Sequence, residues 1–344
     1  QALLEVHPAR GCFRLLSTGH GHYYGVVPLA SAPPWLLIGS QGKLSHRVRN
    51  ASGLPAGTDG VLLFDPAARR VAGTWRLPTF YLHDAILTDD GAYLAVDSDT
   101  GVVSELSVDV ARHAAGVNAR SAGASEARRG GWLALGAGEG RARLRLQRRI
   151  PTAPDWGILS GGASSAHANN VIASTRLLWC MHNNLAATSV LRLIDRGSGA
   201  LRRDIRLGGP NCHNPLFYQG RVLYLLSRVG GLGLLAPNGS STVLWAAGAG
   251  WFSKGLAVVD GLAYFGLASK QLRAVERNDA QAELVAFDLA RHAVVWRVKM
   301  PFPGLINALS APKVAPSCSW RACATTAAEE QLHAPSEADW LLYL

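Results

Sequence analysis

The chain has 344 residues, of which 48% are hydrophobic and 17% charged, a balance that supplies a core and excludes a disordered polymer. Its formal charge of +10 arises from 34 basic and 24 acidic residues, yet no nucleic-acid module accompanies it, so nucleic acid is an unlikely partner. No apolar run reaches the roughly 18 residues that a transmembrane helix needs.

Read in chain order, short apolar strands alternate with glycine or aspartate turns, and helical periodicity is nearly absent. Residues 35–38 (WLLI) form the first strand in this series, followed by a hairpin of 61–65 (VLLFD) and 71–75 (VAGTW). The same hairpin returns at 190–195 (VLRLID) with 201–205 (LRRDI), and at 283–288 (ELVAFD) with 293–298 (AVVWRV). Asp65, Asp195 and Asp288 end the first strand of each copy, where a short carboxylate bonds turn amides. At a nearly constant distance beyond them stand His83, His213 and Asn307, each opening a new strand. His167 and Lys254 are further candidate strand starts.

Such a repeat means that each small sheet buries its faces only by stacking on neighbours. The expected fold is all-β, one closed β-propeller of six or seven blades spanning 1–344. An irregular basic insertion is expected around 112–150, where Arg128, Arg129, Arg141, Arg143, Arg145, Arg148 and Arg149 cluster. A concealed blade is expected near 130–135, and closure of the ring by the terminal segments, with 340–344 (WLLYL) as the closing strand.

In a propeller the innermost strands converge on the axis, so residues far apart in sequence become neighbours. His83, His167, His213, Lys254 and Asn307 are therefore expected around one central funnel. Three neutral imidazoles suit a divalent transition metal, zinc among the candidates, and would make His83, His167 and His213 its ligands. His83, His213 and Lys254 are the catalytic candidates, while Asn170, His182, Asn214 and Asn307 are candidates for substrate binding. His182 is expected at the far end of its strand from His167. The same phases also suit hydrogen-bonded residues that merely close the funnel. His20 and His22 share one face if extended, a weaker chelating pair. Residues 97–101 (DSDTG) offer oxygen ligands for calcium, although a plain turn explains them as well.

Gln1 in place of methionine, the sequons at Asn50 and Asn238, and five cysteines point to a secreted or lumenal glycoprotein with disulfides. Cys318 with Cys323, and Cys180 with Cys212, are the pairs considered.

Residues 251–270 (WFSKGLAVVDGLAYFGLASK) resemble a largely uncharacterised bacterial β-propeller family with a histidine-lined funnel. Residues 212–216 (CHNPL) and the turn 230–233 (GGLG) are compatible with its preceding blade. Lys254 stands where the family phrase carries arginine, and Ala268 interrupts the later phrase. The segment from His83 and Asp84 to Gly91, with 167–170 (HANN), is similar to arylsulfotransferase propellers, which implies a histidine nucleophile. Amidating-lyase propellers are similar in architecture, and imply channel histidines around zinc.

The expected activity is a metal-assisted lyase or hydrolase acting on a polar or anionic small molecule, glycan or peptide end. The alternatives are a non-enzymatic propeller that binds protein or carbohydrate at its rim, and a histidine-dependent sulfuryl or acyl transferase.

Overall fold

The computed structural model describes residues 2–7, 12–18, 22–29, 35–41, 59–79, 81–110, 142–152, 167–183, 188–269 and 279–310. They form a β-propeller with five four-stranded antiparallel blades. Blade one comprises β3 (His22–Pro28), β4 (Leu36–Gln41), β5 (Gly60–Asp65) and β6 (Arg70–Arg76), and blade two β7 (Leu82–Leu87), β8 (Ala92–Asp97), β9 (Val102–Val110) and β10 (Ala142–Pro151). Blade three holds β11 (Ala168–Ala173), β12 (Leu177–His182), β13 (Val190–Asp195) and β14 (Leu201–Arg206). Blade four holds β15 (Cys212–Tyr218), β16 (Arg221–Leu226), β17 (Gly231–Leu235) and β18 (Ser241–Ala246), and blade five β19 (Trp251–Val259), β20 (Leu262–Ser269), β21 (Ala282–Asp288) and β22 (Ala293–Lys299). Within each blade the strands pair in chain order, and the first strands of successive blades touch along the axis.

The apolar runs are continuous because their middle strands are covered on both sides. In β12, Leu177, Trp179 and Met181 pack with Tyr224 and Leu226 of blade four, while Leu178 and Cys180 pack with Val96 of blade two. In β16, Val222 and Tyr224 face blade three, whereas Leu223 and Leu225 join Phe265 and Leu267 of blade five. The two-residue period of a strand thus supplies both interfaces of a blade. Each large side chain so buried contributes about 1.5–3 kcal/mol of transfer free energy.

A two-stranded hairpin, β1 (Ala2–His7) and β2 (Cys12–Thr18), joins the fifth blade to the first. Leu3 and Leu16 pack on Tyr23, Ile38 and Phe64 of blade one, while Val6 and Phe13 pack on Tyr264, Leu284 and Trp296 of blade five. Ile306 and Leu309 enter the blade-five cluster from the other end of the described chain. The strand expected at 340–344 lies outside the described residues.

The expectation of six or seven blades is corrected to five. It counted two blades between His83 and His167, but β9 and β10 pair directly, from Val102 with Pro151 to Val110 with Ala142. One blade therefore spans that interval, and the concealed blade near 130–135 falls between two paired strands, outside the described residues.

The aspartate turns form as their chemistry requires. Asp65 Oδ1 accepts from the amides of Ala67 and Ala68, each at 3.0 Å, and Asp288 Oδ1 from those of Ala290 and Arg291 at 2.9 and 2.8 Å. Asp195 does the same for Ser198 at 2.8 Å. In the proposed calcium loop, Asp97 Oδ1 accepts from the Asp99 amide at 3.1 Å, the arrangement of an ordinary turn.

Away from the axis, blades two and three are joined by a buried ionic clamp. Arg196, whose side chain is 4% exposed, donates through Nη2 to Glu105 Oε1 at 2.9 Å and through Nη1 to Asp90 Oδ2 at 2.7 Å. Burial works against its charge, but the bonds to Glu105 and then Asp90 outweigh that and raise its pKa. Arg148 completes the clamp, with Nε 2.8 Å from Glu105 Oε2.

Cys180 and Cys212 are free and buried, which corrects their proposed pairing. They belong to different interfaces: Cys180 packs toward blade two and Cys212 between blades three and four. Cys318 and Cys323 lie outside the described residues.

Candidate functional site

Each innermost strand breaks register near its start: between Tyr23 and Val26 in β3, Leu82 and Asp84 in β7, Ala168 and Asn170 in β11, His213 and Leu216 in β15, and Lys254 and Leu256 in β19. A bulge of this kind re-aims a side chain and ends regular pairing. The residues at these breaks, Tyr24, His83, Asn169, His213 and Lys254, are all buried. Two positions earlier in the chain stand His22 and Phe252, within β3 and β19, and Tyr81, His167 and Asn211, immediately ahead of β7, β11 and β15, all half-buried. The difference in burial divides the funnel lining into two tiers, a closed floor and a more open wall.

Ring contacts carry the two tiers across the axis. His83 of blade two stacks on His213 of blade four with centroids 6.1 Å apart and planes 26° apart, and lies 5.1 Å from Tyr24 of blade one. The Lys254 ammonium of blade five sits 4.6 Å from the centre of the same Tyr24 ring, within cation–π range. His167 meets His83 edge-on at 4.9 Å and Tyr81 at 6.1 Å, while Phe252 meets His213 edge-on at 5.6 Å.

His83, His167, His213 and Lys254 therefore gather as their spacing implies, with one difference in level. His167 occupies the wall beside Tyr81, and Asn169 stands on the floor where His83, His213 and Lys254 stand. Asn307 lies in the segment beside blade five: a Cβ on neighbouring Gly255, whose φ is +72°, would come within 2.9 Å of Ile306 O. Gly25, at φ +80°, makes the same close approach to β7, where a Cβ would stand 2.7 Å from Ala85 N. Only glycine allows both that conformation and that proximity.

Asn170 and Asn214, candidates for substrate binding, bond the backbone of neighbouring blades. Asn170 Oδ1 accepts from the Asn214 amide at 2.9 Å, and Asn214 Oδ1 accepts from the Gly255 amide at 2.8 Å. Asp84 Oδ2 accepts in the same way from the Val171 amide at 3.3 Å. Three consecutive side chains thus stitch four innermost strands together. His182 differs from its expected position, because its strand returns antiparallel: it pairs with Ala168 in the second strand of blade three, and Asn183 N donates to His167 O at 2.9 Å. Fully buried there, His182 lies beside the start of β11 and not at its far end.

The electrostatics of the floor follow from burial. Desolvation, helped by the charges of Lys254, His167 and His213, holds His83 well below the usual imidazole range, so it is neutral near pH 7. Its remaining ring contact is to the backbone of Asn169, and Nδ1 has no hydrogen-bond partner among the described residues. Asn169 Oδ1 is likewise unsatisfied, although its Nδ2 donates to Cys212 O at 3.2 Å. His213 Nδ1 is held by Asn211 O at 3.0 Å and Ser227 Oγ at 2.8 Å. Desolvation also pushes the Asp84 carboxyl up to about 6, against the opposing bonds from Asn170 and the Val171 amide.

The three histidines do not fit the zinc expected for them. Among the described residues no three His, Cys, Asp or Glu side chains are arranged to hold a metal ion, and the Lys254 ammonium shares the floor that a dication would need. His22 is placed in the wall, whereas His20 lies outside the described residues.

Tyr24, Tyr81, Asn169 and Phe252 were not singled out by the sequence. The signal available was position: an aromatic or polar residue at a strand start, two places before or at the break that carries His83 or Lys254.

No family model matches the chain, and no curated protein matches it. Among solved structures, a protein of unknown function from Bacteroides caccae is similar at 14% identity with a TM-score of 0.52, covering 87% of this chain and 90% of that one. Virginiamycin B lyase from Staphylococcus aureus is similar at 12% identity and TM-score 0.45, over 85% of this chain and 74% of that one. The β-propeller domain of Swd1 from Myceliophteria thermophila is similar at 9% and 0.48, over 87% and 81%. At these identities the likeness is one of fold.

Proposed function

We propose that the funnel binds a small anionic molecule and performs acid–base chemistry on it, as a lyase or hydrolase whose cationic group is Lys254. The observation that carries this reading is the meeting of Lys254 with three imidazoles, one of which, His83, is neutral and leaves Nδ1 unbonded among the described residues. Lys254 would hold the negative charge, and His83 would accept a proton from the substrate or from a water molecule. An anion beside His83 favours the imidazolium, so binding and proton uptake support each other. His213, fixed by Asn211 and Ser227, keeps its ring oriented beneath His83.

Calorimetric titration with acetate, phosphate and sulfate at pH 6 and 7.5 tests this reading. Binding is expected for at least one anion, tighter at pH 6, weakened at least tenfold by Lys254→Met and unaffected by prior dialysis against EDTA. Unchanged affinity in a folded Lys254→Met protein would refute it. Affinity lost to EDTA would restore the metal role of His83, His167 and His213.

A second reading, recognition of a protein or anionic glycan at the rim, is favoured by the exposed edge strand β14, where Arg202 and Arg206 flank the rim of blade three. It differs in requiring that ligand capture survive Lys254→Met. The secreted or lumenal setting remains part of the proposal, supported by the exposed Asn238 of the Asn238–Ser240 sequon in the turn between β17 and β18. A mobility shift on N-glycosidase treatment of the protein from its native source is expected, and its absence would remove this support.

No helix among the described residues is long and apolar enough to cross a membrane.

A further inference from the structure

The wall of the funnel asks for more than a charge. We infer that the anion is carried on a planar aromatic ring, an inference that rests on the anion-binding reading and narrows its substrate class.

An inorganic or small aliphatic anion would need only the floor, where Lys254, His83 and His213 lie. Above them the wall presents Tyr81, His167 and Phe252, from blades two, three and five, each half-buried at the open end of the funnel. These rings are not core residues that reach the surface by accident. Each precedes its floor partner by two residues, Phe252 within β19 and Tyr81 and His167 immediately ahead of β7 and β11, and each touches a ring of the funnel. Their contacts run downward and sideways: Tyr81 to His83 at 5.9 Å and to His167 at 6.1 Å, and Phe252 to His213 at 5.6 Å with planes 67° apart.

Tyr81, His167 and Phe252 are each half-buried, so part of each side chain stays in reach of a ligand. Aromatic pairs favour edge-to-face or offset geometry at centroid separations of about 4.5–7 Å, and add roughly 0.5–1.5 kcal/mol beyond area burial. A flat ring bearing a carboxylate, phosphate or sulfate matches both tiers: its charge meets the Lys254 floor, and its faces and edges meet the wall. His167 contributes to each tier, because it touches Tyr81 at its own level and His83 below. The rings come from three separate blades, so the collar exists only when the propeller is closed.

The test compares matched pairs of probes by calorimetry on the whole protein: benzoate against acetate, and phenyl phosphate against inorganic phosphate. The aromatic member of each pair is expected to bind about three- to tenfold more tightly. Tyr81→Leu combined with Phe252→Leu, which keeps apolar volume and removes the rings, is expected to abolish that preference while acetate and phosphate affinities stay within about twofold.

Equal affinities within each wild-type pair would overturn the aromatic inference and leave the anion reading standing. Binding of none of the four probes would overturn the anion reading itself, and the inference with it. A preference that persists in the double variant would also overturn the assignment to these rings. If the double variant fails to fold, the wild-type comparison still decides.

Discussion

Two buried clusters, one between blades two and three and one on the axis, show what distinguishes a cation bound by carboxylates from one set among rings. Arg196 is buried with its guanidinium divided between Glu105 and Asp90, and Arg148 adds a second cation to Glu105. On the axis, Lys254 faces the Tyr24 ring and a group of imidazoles, and its charge also acts on Asp84, which accepts from the Val171 amide. The clamp is a closed set of opposite charges in bonding distance. The funnel floor sets one ammonium among imidazoles and a tyrosine ring.

The comparison is broken most forcefully at the clamp. Removing one partner of a buried ion pair leaves the other charge uncompensated, at a cost of about 3–5 kcal/mol. Arg196→Met is expected to lower the unfolding free energy, read from urea melts, by an amount near the lower end of that range, since Asp90 is partly exposed, while anion affinity at the funnel stays the same. Loss of affinity without loss of stability would mean that the two clusters have been assigned the wrong way round. Lys254→Met should give the opposite pattern.

A smaller effect separates the two titrating groups near the axis. Asp84 has a folded pKa of about 6 against 3.8 for an ordinary aspartate, so the unfolded chain loses its proton first. Stability therefore falls as pH rises from about 4 to 6, and by pH 7.5 the cost reaches no more than about 3 kcal/mol. Asp84→Asn keeps an acceptor for the Val171 amide and is expected to raise the melting temperature at pH 7.5 but not at pH 4. His83 has the reverse sign: its folded pKa is depressed, so stability is full above about pH 6.5 and declines as pH falls. His83→Gln should flatten that acid decline. Melting curves from pH 4 to 8 for both variants check the pair, and parallel shifts at every pH would contradict it.

What could be read in advance divides along physical lines. The propeller was legible because strand alternation and aspartate turns are local: Asp65, Asp195 and Asp288 bond amides two or three residues away. His83, His213 and Lys254 were legible because each opens an innermost strand. His167 was placed one level too low, since the sequence does not mark which residue of β11 occupies the bulge, and Asn169 was hidden by the same ambiguity. The bonds of Asn170 and Asn214 to amides of neighbouring blades were not legible, because nothing local in the sequence shows those partners. The blade count failed where pairing is long-range: only the register of β9 with β10 shows that the chain between them opens no new blade.

The hairpin that fills the space between blades five and one gives the fold an order in time. β1 and β2 leave the ribosome before any blade is made, yet Val6 and Phe13 find Tyr264 and Trp296 only after the fifth has been synthesised. Each blade can condense on its predecessor as it emerges, but this seam waits for nearly the whole described chain. Contacts between segments so distant in sequence form slowly, so translation would leave Val6 and Phe13 exposed for longest, a target for holding chaperones until the circle shuts.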